Sequence, residues 1–172
     1  AAIAWADQSG NGKHAGVAAD RAPELIPNRI NGLPALRGAD KKYMTLTRLI
    51  ALKGDCTIVF VASFTGDEGG SIVGDSDDGR IGPSELNKRE FSFRFSVGER
   101  GHTTFLREPI DRGRFCIWAL ARRGKRVLIY RDGKIATRRP EYTSAGTTMN
   151  LSLLFGMRPG IVNHKGELAE LL

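Results

Sequence analysis

Long apolar runs are what this chain most conspicuously lacks. None approaches the roughly 20 residues that a membrane-spanning helix needs, so no membrane insertion is expected. The opening AAIAWADQSG also lacks the basic segment and longer apolar segment of a signal peptide. Cysteine is scarce, with Cys56 and Cys116 the only two in 172 residues. No Cys-x-x-Cys occurs, and His14, His102 and His164 are scattered, so the ligand spacing of a structural zinc site is missing. Both cysteines fall in apolar stretches, where a thiol acts as a small hydrophobe. A disulfide would need neighbouring strands with matching faces, which the sequence leaves open.

Catalytic patterns are missing too. No serine sits in Gly-x-Ser-x-Gly, no histidine has a relay partner nearby, and there is no phosphate-cradling glycine loop of Walker or dinucleotide type. Glycoside hydrolysis needs two carboxylates flanking the scissile bond. No strand carries a Glu-x-Asp-x-Glu run. Glu167 and Glu170 are three apart, so on a regular strand they should face opposite ways. The chain is therefore expected not to be an enzyme.

What is present is strand-like. Hydrophobic residues make up 41% and glycine is frequent at 21 residues, and the glycines punctuate short apolar runs rather than long ones. RFCIWALARRGKRVLIYRDGK, residues 114–134, reads as two strands with a tight turn at Gly124-Lys125. A second turn at Asp132-Gly133 leads to a third strand at 135–137; glycine there accepts the positive φ of a type I′ hairpin. Residues 56–64 are apolar on both faces and should form a central strand. Phe91, Phe93, Phe95 and Val97 alternate with polar residues, as a half-buried strand does. Further strands are expected at 13–18, 34–37, 43–46, 71–73, 103–106, 149–155 and 167–172. Pro23, Pro27 and Pro34 should break up residues 20–34, residues 49–52 should form a helical turn, and residues 74–84 should form a loop. About ten short strands without a long helix predict one all-β domain over residues 1–172, a sandwich or barrel.

Several landmarks, in this order, resemble the laminin-G-like, concanavalin A-like domains. ADQSGNGKHA is similar to their opening D-x-SGNGxHA signature, and ELIPNRINGLPALRG to the stretch that follows it. Residues 42–46, GDCTIVFVASF, YRDGK and the closing KGELAELL match later landmarks. The resemblance covers nearly the whole chain and implies an antiparallel two-sheet jelly-roll β-sandwich. It implies a glycan- or protein-binding module, either of a bacteriophage virion (capsid decoration, head fibre, tail fibre or spike) or of a bacterial secreted or surface protein. An accessory domain of a polysaccharide-degrading enzyme is the other alternative. The family's domains extend beyond both ends seen here, so the chain is expected to be part of a longer protein. Where the family carries acidic residues before its tyrosine, this chain has Ala39-Asp40-Lys41-Lys42-Tyr43, which adds positive charge.

Candidate sites follow from residue chemistry. Sugar rings stack on aromatic faces, which singles out Tyr43 and Tyr142, with Trp5 beside them and Trp118 assigned to packing. Net charge is +7. Arg122, Arg123, Lys125 and Arg126 crowd one hairpin turn, where like charges repel unless an anion sits between them. The expected partners are a glycan or a neighbouring virion subunit, in a homo-oligomer. Nucleic acid is disfavoured because no aromatic is interleaved with those charges. Asp75, Asp77 and Asp78 in GDSDDG are the best candidate calcium ligands, with a solvated acidic loop as the competing reading. Asp7, Ser9 and Asn11 are expected to close a self-bonded Asx turn. No other cofactor is expected.

Overall fold

The computed structural model describes residues 1–65, 70–75, 80–85, 90–94, 102–138, 141–142, 148–156 and 164–172; of these, 84–85, 90–94, 102–104 and 141–142 are described in backbone only. The strands are β1 (Ala4–Trp5), β2 (Ala15–Gly16), β3 (Glu24–Ile30), β4 (Leu33–Gly38), β5 (Met44–Lys53), β6 (Cys56–Phe64), β7 (Val73–Gly74) and β8 (Arg80–Glu85). They continue as β9 (Glu90–Arg94), β10 (His102–Phe105), β11 (Cys116–Arg123), β12 (Arg126–Arg131), β13 (Lys134–Ile135), β14 (Glu141–Tyr142), β15 (Thr148–Leu154) and β16 (Gly166–Leu171). The only helical element described is one 3-10 turn at Ala19–Arg21.

The strands form two antiparallel sheets, the jelly-roll sandwich expected from the sequence. The first sheet runs β1-β2-β5-β15-β7-β8-β9-β10; the second runs β13-β12-β11-β6-β16-β4-β3, with β14 also on β12. Their inner faces meet in one core. Met44, Leu52, Val73, Ile81, Met149 and Leu151 come from the first sheet; Ile58, Phe60, Phe64, Trp118, Leu120, Ile129 and Leu168 come from the second. Central position explains the two-sided apolarity of β6, which pairs with β11 on one side and β16 on the other.

Turn chemistry sets the hairpins. Asn31-Gly32 joins β3 to β4 with φ of 48° and 78°; Asp132-Gly133 joins β12 to β13 with φ of 51° and 77°. Both positions positive is the type I′ signature, which suits the right-handed strand twist. Asp132 adds a lock: its Oδ1 accepts from the Ile117 N–H at 2.9 Å and its Oδ2 from Arg114 at 2.8 Å. At the other end of the chain Asp7 accepts from the Ser9 N–H at 2.8 Å and the Lys13 N–H at 2.9 Å. The opening turn is thus bonded to itself, as expected. Hydrogen bonds from Ser9 and Lys13 hold the Asp7 carboxyl at about 2.

Four expectations are corrected. Residues 49–52 are not a helical turn but the end of the ten-residue β5, whose partner β15 overrides local preference. Pro27 does not break its segment, because β3 is an edge strand where a missing N–H is tolerated; the register slips between Ile26 and Ile30, with Asn28 at φ 51°. Of residues 74–84, expected as loop, Gly74 ends β7 and residues 80–84 belong to β8, which pairs with β7 and β9. The faces of Glu167 and Glu170, the fourth, are taken up below. Cys56 and Cys116 lie on the adjacent strands β6 and β11, yet six register positions apart, roughly 20 Å along the strands. Both are free thiols.

Candidate functional site

The outer face of the second sheet can be read row by row from the ladder register. Cross-strand partners share a face, and rows on one face lie about 7 Å apart. The first row is Glu24, Arg37, Glu167 and Ser63. The second is Glu170, Val61 and Ile117. The third is Leu172, Val59, Ala119 and Tyr130, with Leu172 joined to Val59 by a reciprocal pair of backbone hydrogen bonds. The fourth is Thr57, Ala121 and Leu128. The fifth is Arg123, Arg126 and, in backbone register, Tyr142.

Rows two to four make an open, mostly apolar shelf, edged by the exposed Glu170 and Thr57. Ile117 is 53% exposed and Leu172 74%, while Val59, Val61, Ala119, Ala121, Leu128 and Tyr130 are half-buried. Ala119 and Ala121 are smaller than their flanking neighbours, Val59 on β6 and Leu128 and Tyr130 on β12. The face is therefore a shallow trough along β11, floored by alanine, with Tyr130 on one wall. An uncovered apolar face of this kind marks a binding surface more often than a scattered exposed leucine does.

The two ends of the trough differ in charge. In the first row the Glu167 side chain is 3% exposed. It accepts from Arg29 Nε at 2.5 Å and from Arg37 Nε and Nη2 at 3.0 and 2.7 Å. Burial alone would push the Glu167 carboxyl up, but the hydrogen bonds from Arg29 and Arg37 outweigh it and hold it below the usual range. Arg29 also lies over the Phe115 ring, 5.6 Å from its centroid. In the fifth row Arg123, Lys125 and Arg126 are exposed. Arg123 donates to the backbone carbonyls of Arg122 at 2.9 Å and Cys56 at 3.5 Å.

The bulge that builds the first two rows overturns an expectation. Glu167 faces Ser63 and Glu170 faces Val61, two residues apart on β6, because the register slips between Leu168 and Glu170. The two carboxylates share the outer face after all. They do not form a matched catalytic pair, since both Glu167 oxygens are engaged by guanidinium groups and the side chain is buried.

The predicted residues divide accordingly. Arg123, Lys125, Arg126 and the Tyr142 backbone meet at the fifth row. Arg122 does not join them: it is fully buried on the inner face, with Nε donating to the Gly124 carbonyl at 3.2 Å. Strand alternation carried that signal, since Trp118, Leu120 and Arg122 fall on one side of β11. Tyr43 is on the other sheet's side, its hydroxyl 3.2 Å from Arg21 Nη1, and is remote from this face in the ladder order. Asp75 is buried, and Asp77 and Asp78 lie outside the described residues. Among the described residues no three His, Cys, Asp or Glu side chains are placed to hold a metal. Tyr130 and the alanine floor were missed, although Val127 and Ile129 pointing inward leave Leu128 and Tyr130 outward.

No protein-family model matches this chain, and no curated protein matches it in sequence. Solved structures do match. The carbohydrate-binding module CBM66 from Bacillus subtilis is 14% identical at a TM-score of 0.55, with 87% of this chain and 89% of that chain covered. Trypanosoma rangeli sialidase in complex with sialic acid is 10% identical at a TM-score of 0.60 and covers 99% of this chain, which spans 28% of the sialidase. At these identities the likeness establishes the fold: a β-sandwich that accounts for most of one neighbour and a minor part of the other.

Proposed function

We propose that this domain is a non-catalytic carbohydrate-binding module that takes its ligand on the outer face of the second sheet. The trough along β11 carries the reading. Sugar rings present apolar C–H faces and polar edges, so they suit a shelf with a tyrosine wall and charged side chains at its ends. The near-coextensive likeness to a carbohydrate-binding module supports it. The occupied oxygens of Glu167 support a binding role rather than hydrolysis. Of the settings, a module of a bacterial secreted or surface protein has support from that bacterial neighbour; the virion setting rests on the opening signature alone.

A glycan array followed by calorimetry tests the function. The wild-type domain should bind a defined glycan and release no reducing sugar from it. Tyr130→Ala should weaken binding about tenfold while leaving the thermal midpoint close to wild type, because the ring is only half-buried. A domain that binds no glycan overturns the reading. Light scattering tests the setting: the virion reading requires a symmetric oligomer of the full protein, and a monomer excludes it.

A further inference from the structure

We propose that the ligand is an acidic glycan, and that Arg123, Lys125 and Arg126 seat its carboxylate or sulfate group. This rests on the trough being a glycan site and names the class of sugar it takes.

The observation is a missing neutralisation. Among the described side chains, no carboxylate lies within ion-pair distance of Arg123, Lys125 or Arg126, whereas Arg29 and Arg131 each have one and Arg37 and Arg114 each have two. Asp55, whose Oδ1 reaches this turn, spends it on the Gly124 backbone N–H at 2.5 Å. Arg123 and Arg126 are direct cross-strand partners, and like charges placed so destabilise a ladder. Lys125 adds a third positive charge in the two-residue turn between them. A protein-bound arrangement of this kind gains most from an anion that enters between the cations.

The corner is also held in place. Gly124 sits at φ 56°, its N–H bound by Asp55 and its carbonyl by the buried Arg122. A rigid turn loses little entropy when it binds, and that favours affinity. The spacing fits a sugar acid: a ring resting on Ala121 against Leu128 lies one row, about 7 Å, from the Arg123–Arg126 row. The far end of the trough orients the ligand by contrast, because Arg29 and Arg37 are already neutralised there by Glu167 and Glu24, so an acidic group gains less than beside Arg123 and Arg126. A single tyrosine on the shelf gives no ladder for successive bases, which argues for polysaccharide over single-stranded nucleic acid.

The test uses calorimetry at two salt concentrations with polygalacturonate, its methyl ester, dextran sulfate, uncharged dextran and single-stranded DNA. Binding to polygalacturonate or dextran sulfate, weakened by salt and at least tenfold tighter than to the ester or dextran, supports the proposal; which of the two binds decides between carboxylate and sulfate. Arg123→Gln with Arg126→Gln should cost about tenfold or more per charge removed. Arg48→Gln, which removes the same charge from an exposed site on the first sheet, should change affinity less than twofold. Equal binding of neutral and acidic chains overturns the proposal and leaves the glycan reading standing. An Arg48→Gln loss equal, per charge removed, to that of the paired variant overturns it as well, since net charge alone would then explain binding. Preference for DNA overturns both, whereas no binding to any of the five overturns the proposal and leaves the glycan reading to the array.

Discussion

At one end of the second sheet Arg29 and Arg37 close on a buried Glu167; at the other Arg123 and Arg126 oppose each other with no carboxylate among the described side chains to separate them. The residue type is the same and the sheet is the same. What differs is whether the protein supplies the anion itself. Where it does, the arginines are structural and the carboxylate is withdrawn from solvent. Where it does not, the cations stand exposed on a fixed turn. The contrast continues beneath the face. Under the paired end lies His164, fully buried between Phe64 and Phe155, with neither ring nitrogen hydrogen-bonded among the described residues. Under the open end lies Arg122, buried too, with Nε donating to the Gly124 carbonyl. An imidazole can give up its proton to enter the core; a guanidinium brings its charge with it.

The largest effect expected at the paired end comes from its backbone spacing. A Cβ on Gly166 would run into the Ser63 carbonyl and lie 2.7 Å from His164 Nε2. Gly166→Ala should cost about 3 kcal/mol or more, because the obstacle is sheet backbone that cannot yield. Urea denaturation reads it directly, and an unchanged midpoint would mean that this end is loosely packed.

Next is acid. Burial pushes His164 down to about 4; the Ser63 carbonyl pulls the other way without meeting hydrogen-bond geometry. The unfolded chain takes up this proton below about 6.5 while the folded one does not until about 4. Stability from this group is therefore complete above pH 6.5, falls as pH drops, and is lost in full below pH 4. The loss amounts to roughly 3 kcal/mol. Denaturation midpoints measured from pH 7 to pH 4.5 should fall, and His164→Leu should flatten that slope. A wild-type midpoint that holds level across this range would place the ring in contact with water.

Third is the buried anion. Glu167→Gln keeps an acceptor but leaves Arg29 and Arg37 as unneutralised as the arginines of the fifth row. Breaking a fully buried pair costs about 3–5 kcal/mol. These arginine side chains are 40% and 46% exposed, so about 2 kcal/mol is expected after allowance for solvent screening. If the variant instead gained affinity for anions, the two ends would differ in nothing but that carboxylate.

How much of this was legible in the sequence depends on how far apart the deciding residues lie. The central strand at 56–64 and the Asp132-Gly133 turn were readable because period-two apolarity and positive-φ chemistry are local. The shared face of Glu167 and Glu170 was not, because a bulge is a property of two strands and its partner β6 lies about a hundred residues away. β8 was hidden by its polar and glycine-rich composition, and only its pairing with β7 and β9 defines it. Arg122 was legible but misread: charge proximity along the chain grouped it with Arg123, while alternation along β11 sends the two to opposite faces. The corner Arg123–Lys125–Arg126 was found from local charge, whereas the trough beside it needed the register of three strands.

The smallest effect sharpens the comparison most. Glu24 bridges Arg37 Nη1 at 3.3 Å, but both partners are solvated, with side chains 61% and 46% exposed. Exposed pairs contribute about 0–1 kcal/mol, since screening and side-chain entropy offset the attraction. Glu24→Gln should therefore shift the denaturation midpoint by no more than about 0.5 kcal/mol, a small fraction of the Glu167→Gln cost. Two glutamates touch the same arginine, so the difference between them isolates burial from contact. If Glu24→Gln cost as much as Glu167→Gln, the paired end would be an ordinary surface network, and its arginines would be as available to a ligand as those of the open corner. If it costs next to nothing, the withdrawn carboxylate alone makes the first row structural, and the exposed cations of the fifth row are left as the anion-seeking end of the trough.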